Sequence, residues 1–275
     1  MTNRFKSNLI ISGLVGNLWR GVARYGRAWL RAREALIMDI KAVGFDLFGT
    51  LVEAKADVND CISSMCLHLE GCGFSFDEED FLESYRATVR GYREMRNEGL
   101  REVNNCVWLC DTLNRMGYDA EVTDPAIVST VERYFDVWEI SVYPEVHEAL
   151  ERISMIYGTS LVSNFTDSGY LHRTLRKFGL ESYFDSIVVS DAVGWRKPHP
   201  RIFKNFLDSL HIEPEEAVYI GDDLDADIRG ARDMGITAVL IQRKGDKNKR
   251  VSGPLPDYTV NSLLDLEELL DLNIK

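Results

Sequence analysis

No uninterrupted apolar run in this chain approaches the roughly 18–20 residues a helix needs to cross a bilayer. Cysteine is scarce and unpatterned: five residues, an odd number, with no Cys-x-x-Cys pair. This argues against a disulfide framework and for reduced thiols in a reducing compartment, taken here as the cytoplasm. Basic charge is in deficit, with 32 Lys and Arg against 44 Asp and Glu, a net of −12. Such a balance disfavours nucleic acid as a partner. What is present is a 275-residue chain, 45% hydrophobic and 28% charged. That is the profile of a soluble globular protein with room for one large or two modest domains.

The basic deficit is uneven. Residues 1–37 carry seven basic side chains against Glu34 alone, a net of +6, so the remainder carries −18. Ile10, Leu14, Leu18, Val22, Tyr25 and Trp29 recur at three- and four-residue steps, which predicts a basic amphipathic helix. A signal peptide fits poorly, because Ser12, Gly13, Gly16 and Asn17 interrupt the apolar centre. Contact of residues 8–33 with a membrane surface is one reading. The favoured one is an extension outside the fold, with Met38 as the true start just before the first strand.

From Met38 the expected architecture is an α/β, Rossmann-like parallel sheet with helices on both faces, residues 38–52 and 143–275, interrupted by a helical bundle over 53–142. The first strand ends in Asp46, and Gly49-Thr50 turns the chain away. Helical spacing then dominates: residues 57–70, 77–97, 101–116 and 124–138 each carry an apolar face. Asp124-Pro125 and Asp77 are N-terminal signals, and Gly71, Gly73 and Gly117 are stops. All five cysteines fall in this bundle and are expected as buried small thiols rather than metal ligands. After Pro144 strands at 158–164, 186–190, 217–220, 237–242 and 258–260 alternate with helices, which implies a parallel sheet.

Ligands of open parallel sheets bind at the carboxyl ends of the strands, so those ends matter most. One closes with Asp46. Another closes with Ser163-Asn164, a hydroxyl and an amide able to donate to anionic oxygen. A third closes with Gly221-Asp222-Asp223-Leu-Asp225-Ala-Asp227, four carboxylates in seven residues that either stay fully solvated or gather a cation. An EF-hand is disfavoured, because Ile228 and Met234 fall where Gly and Glu are required. With Asp46 across the crevice, Mg²⁺ fits better, since it takes one or two carboxylates and leaves room for a substrate phosphate. Lys197, in Arg196-Lys197-Pro198, is the fixed cation between two acidic strand ends.

These four segments, Asp46-Leu-Phe48-Gly49-Thr50, Leu161-Val-Ser163-Asn164, Arg196-Lys197-Pro198 and Gly221 through Asp227, resemble in order and spacing the motifs of the haloacid dehalogenase-like hydrolase superfamily. The resemblance covers about residues 40–270. It implies that the helical insert is a cap closing over the site. It implies Asp46 as nucleophile, attacking phosphorus to form an aspartyl-phosphate that water hydrolyses. Thr50 and Ser163 would bind phosphoryl oxygens with the help of the Asn164 backbone, and Lys197 would neutralise Asp46 and the transferred group. Mg²⁺ would sit on Asp46, the Phe48 backbone carbonyl and Asp222, with Asp227 holding a metal water or orienting Lys197. Asp223 and Asp225 have no implied role beyond charge at a helix N-terminus.

The resemblance breaks at one position. Family phosphatases usually carry a second Asp two residues after the nucleophile as general acid; this chain has Phe48. General acid–base help is worth ~10²–10⁴-fold in rate. An aromatic there also resembles the dehalogenase branch, in which Asp46 would attack carbon without a metal. That branch has no use for the acidic cluster. The expected activity is therefore a Mg²⁺-dependent phosphatase acting on a small phosphorylated metabolite. Metal-independent dehalogenation and a non-catalytic binding role on the same fold are the alternatives.

Overall fold

The computed structural model describes residues 40–243 and 255–270. The expected amphipathic helix of residues 1–37 and the proposed start at Met38 lie outside them. Six strands form one parallel sheet: β1 (Ala42–Phe45), β4 (Gly158–Ser163), β5 (Ser186–Val189), β6 (Ala217–Gly221), β7 (Thr237–Ile241) and β8 (Tyr258–Val260). Their spatial order is β5-β4-β1-β6-β7-β8. Numbered among themselves in chain order, these six run in the doubly wound order 3-2-1-4-5-6, whose direction reverses between β1 and β6. Alternate residues of each strand point to opposite faces. Val43, Phe45, Val218, Ile220, Val239 and Ile241 join one buried cluster. Tyr219, Ala238 and Leu240 join a second, with Phe203 and Phe206 of a helix at Pro200–Leu210. Both faces are covered, as the near-continuous apolar strands require.

Between β1 and β4 the chain leaves the sheet for α1 (Val58–Gly71), α2 (Glu78–Gly99), α3 (Asn105–Arg115) and α4 (Pro125–Asp136). Each opens on an Asp or Asn whose side chain accepts a backbone N–H: Asp57 from Asn59 at 2.8 Å, Asp77 from Glu79 at 2.9 Å, Asn104 from Cys106 at 2.8 Å and Asp124 from Ala126 at 2.8 Å. Each such cap contributes about 1 kcal/mol. The expected start of α3 at 101 is corrected to 105. Asn104 takes the cap, and Arg101 instead bridges to Trp195 of the sheet domain.

Two strands were not foreseen. β2 (Val52–Lys55) and β3 (Glu139–Val142) pair antiparallel at the root of the insert, Val52 against Val142 and Lys55 against Glu139. At four residues each and half exposed, they carry too little apolar pattern to be legible. The segment after β6 is a π-helical turn, Leu224–Arg229, continued by a short α-helix, Gly230–Asp233. Cys61, Cys66 and Cys110 are buried as expected and Cys106 is half-buried, but Cys72 is exposed, beyond the end of α1. No described helix is long and apolar enough to cross a membrane.

Candidate active site

Register brings the motifs together. Phe45 lies opposite Ile220 on one side and Leu161 on the other, and the Asp46 N–H donates to the Ile220 carbonyl at 2.9 Å. Asp46 therefore stands beside Gly221-Asp222 at the switch point, with Ser163 at the end of the adjacent strand. Gly49 makes the approach of Asp222 possible. Its φ is +85°, and a Cβ there would fall 2.6 Å from the Asp222 carboxyl carbon.

Lys197 is the hub. Its Nζ lies 2.6 Å from Asp46 Oδ1 and 2.7 Å from Asp227 Oδ1, and donates to the Val162 carbonyl at 2.9 Å and the Tyr219 hydroxyl at 3.0 Å. Burial opposes its charge, but the Asp227 and Asp46 carboxylates outweigh that and hold it well above the ordinary lysine value. Asp46 feels the reverse balance. Burial raises it, Lys197 opposes, and Asp227 and Asp222 raise it further, to about 7. Three carboxylates crowd one ammonium. Asp46, Asp222 and Asp227 each offer an oxygen within 4.8 Å of the others. A cluster of hard oxygen donors with excess negative charge fits a small divalent cation.

The other expected residues are placed as follows. Ser163 Oγ is buried without a hydrogen-bond partner, at the strand end next to Asp46. Thr50 is fully buried and directs its hydroxyl at Asp46 Oδ2, 3.4 Å away. The Asn164 side chain is corrected from a donor to anionic oxygen: its Oδ1 accepts the Lys197 N–H at 2.7 Å and its Nδ2 donates to the Lys197 carbonyl at 3.0 Å. Both Asp227 oxygens are engaged, Oδ1 by Lys197 and Oδ2 by the Asp223 N–H at 3.0 Å. Asp223 caps the π-helical turn through the Asp225 and Ala226 N–H groups, and Asp225 pairs with Arg229. Phe48 stacks on Phe165, centroids 5.4 Å apart, and meets Trp138 edge-on at 5.8 Å.

Two participants escaped the sequence reading. Tyr219 is fully buried, and its hydroxyl sits among Lys197, Val162 and Asp227. A tyrosine inside an apolar strand is the available signal, because a buried O–H needs a partner. Glu102, between α2 and α3, is buried and held by Arg96, Arg196 and Ser190. Nothing in its local sequence separates it from a surface acid.

Fold and site define a class: doubly wound α/β proteins with an acidic strand-end centre built around one buried lysine. The family model of the haloacid dehalogenase-like hydrolases matches residues 43–241, and the chain belongs to that family of hydrolases. It is 29% identical over 240 residues to the glyceraldehyde 3-phosphate phosphatase of Methanopyrus kandleri, covering 85% of this chain and 97% of that one. Among solved structures it is similar to a HAD phosphatase from Thermococcus onnurineus, with 27% identity, a TM-score of 0.54 and coverage of 84% and 98%. A 2-haloacid dehalogenase from Pseudomonas syringae pv. Tomato DC3000, with 22% identity, a TM-score of 0.65 and coverage of 84% and 98%, shares the fold.

Proposed function

We propose that the protein is a Mg²⁺-dependent phosphatase of small phosphorylated metabolites, with Asp46 as nucleophile. The observation that carries this reading is the buried Lys197 held between Asp46 and Asp227, with Asp222 beside them. A metal-free reaction at this centre leaves three carboxylates facing one cation, so dehalogenation stands second. The phosphatase names of the relatives above support the same order.

Lys197 holds Asp46 Oδ1, and Oδ2, with its longer Thr50 contact, is the oxygen assigned to the attack. A new Oδ2–P bond forms as the ester O–P bond breaks, leaving an aspartyl-phosphate and an alkoxide that takes its proton from solvent water. Water then attacks phosphorus, breaks the acyl phosphate and returns Asp46 as carboxylate with inorganic phosphate. Ser163 Oγ, buried and unpartnered, donates to a phosphoryl oxygen together with the Asn164 backbone. Thr50 orients Asp46, and Asn164 fixes the Lys197 backbone. Asp46, Asp222 and the Phe48 backbone carbonyl would hold Mg²⁺, which when bound supplies positive charge for the phosphoryl oxygens. With both oxygens occupied, Asp227 serves as the group that orients Lys197 rather than as a direct ligand. Residues 53–142 act as the cap.

Phosphate release from an aryl phosphate is the direct test, because an aryl leaving group needs little protonation and bypasses the missing donor at Phe48. Release that requires Mg²⁺ and is lost in Asp46→Asn is expected. Activity that survives EDTA would overturn the reading.

A further inference from the structure

The insert contains a cavity of about 310 Å³ that the chemistry above does not use. It is lined by the first turn of α1, the later turns of α2, the first turn of α3 and the last turn of α4. α1 follows β2 and α4 precedes β3, at the root of the insert. The link between α2 and α3 hydrogen-bonds to the segment before Lys197, Glu102 N–H to the Gly194 carbonyl at 3.2 Å and Arg196 N–H to the Leu100 carbonyl at 2.9 Å.

Its lining has two parts. Ile62, Tyr85, Trp108 and Tyr134 supply apolar and aromatic surface. Arg86, Arg90 and Arg93 follow at four- and three-residue steps along one side of α2, with Glu94 as the acid beside them. None of the three arginines forms an ion pair with a described residue. Two buried polar atoms in the lining are also unpartnered, the Trp108 indole N–H and Asn105 Oδ1, and Trp108 is 94% buried (6% exposed). A buried donor and a buried acceptor without partners each cost stability unless a ligand supplies the bond. Unpaired guanidinium groups at the edge of an aromatic pocket of this size suit a small anionic ligand.

We propose that this cavity receives the part of the substrate remote from the transferred phosphoryl group, and selects there for a second anionic group on a small hydroxylated skeleton. The anion, a carboxylate or a second phosphate, pairs with Arg90 and Arg93. The Trp108 N–H donates to a ligand oxygen, and Asn105 Oδ1 accepts from a hydroxyl. The inference rests on the phosphatase reading and names its substrate class.

The test compares matched pairs on the Mg²⁺-loaded full chain: glycerol 3-phosphate against 3-phosphoglycerate for the carboxylate, fructose 6-phosphate against fructose 1,6-bisphosphate for the phosphate. One or both doubly anionic members should be preferred at least tenfold in kcat/KM at low salt, and the pair showing it identifies the anion. That ratio should collapse in Arg90→Gln/Arg93→Gln and persist in Lys204→Gln, on an exposed helix face elsewhere. 3-Phosphoglycerate or fructose 1,6-bisphosphate should also inhibit aryl phosphate hydrolysis competitively. Binding of the same two compounds to Asp46→Asn, followed by calorimetry, should be lost in the added arginine double variant. Aryl phosphate turnover with no preference in either pair, a preference that survives the arginine changes, or non-competitive inhibition would each overturn the proposal. Absent turnover of any phosphate would instead count against the phosphatase reading, and calorimetry would then decide the cavity by itself: binding that needs Arg90 and Arg93 supports it, and no binding sinks it.

Discussion

Phe48 decides most at the level of single residues. It occupies the place of a proton donor and at the same time fills space between Phe165 and Trp138. Phe48→Asp is expected to raise kcat/KM for alkyl relative to aryl phosphates by ~10²-fold, the low side of what general acid help supplies. It should also lower stability by about 2–3 kcal/mol, since a carboxyl replaces aromatic packing; an unchanged alkyl-to-aryl ratio in folded protein would mean that protonation does not limit turnover. Asp46 supplies the pH dependence. Its carboxyl is raised to about 7 without a metal, and a bound cation requires it ionised. Mg²⁺ affinity should therefore be full above pH 7 and fall as pH drops through it, about tenfold weaker at pH 6 than at pH 8 by linkage. Calorimetric titration at the two pH values checks this.

Among the elements, the junction of insert and sheet domain is built on a buried acid between two arginines. Glu102 leaves the end of α2 and is buried against Arg196, one residue before Lys197, and against Arg96, whose own guanidinium is pushed down to about 10 by burial and by Arg196. Beside it Arg101 lies 3.9 Å over the Trp195 ring, which stacks on His199. Glu102→Gln leaves two guanidinium groups facing each other without their acid. Breaking a buried pair in this way costs about 3 kcal/mol. Urea denaturation should report that loss, and kcat should fall as well because the same segment carries Lys197; wild-type stability in the variant would show that solvent already screens the pair.

At the scale of the whole molecule, the insert shares the interior on one face of the sheet. A single buried cluster takes in Ile62, Leu109 and Phe135 of the insert together with Val43 and Leu161 of the sheet. Insert and sheet domain should accordingly unfold together. Tryptophan fluorescence, which reads Trp108 and Trp138 in the insert and Trp195 in the sheet domain together with Trp19 and Trp29 outside the described residues, should give the same urea midpoint as far-UV circular dichroism. Two separated transitions would show that the insert is an independent unit despite the shared cluster.

The sequence by itself determined the layers, the order of the elements and the carboxylates at the strand ends. Those depend on local causes: alternation of apolar residues, Asp and Asn caps, glycine stops, and a strand that ends in Asp46. It also placed Lys197 between acids. The pairing of β2 with β3, the burial of Glu102, the use of the Asn164 amide on the Lys197 backbone and the Tyr219 hydroxyl at the centre of the site were decided only in three dimensions. Each depends on a partner distant in sequence: Val142 for Val52, Arg196 for Glu102, Lys197 for Asn164 and Tyr219. Whether a polar side chain is solvated or bonded depends on which distant group is brought within about 3 Å of it, and no local pattern encodes that distance.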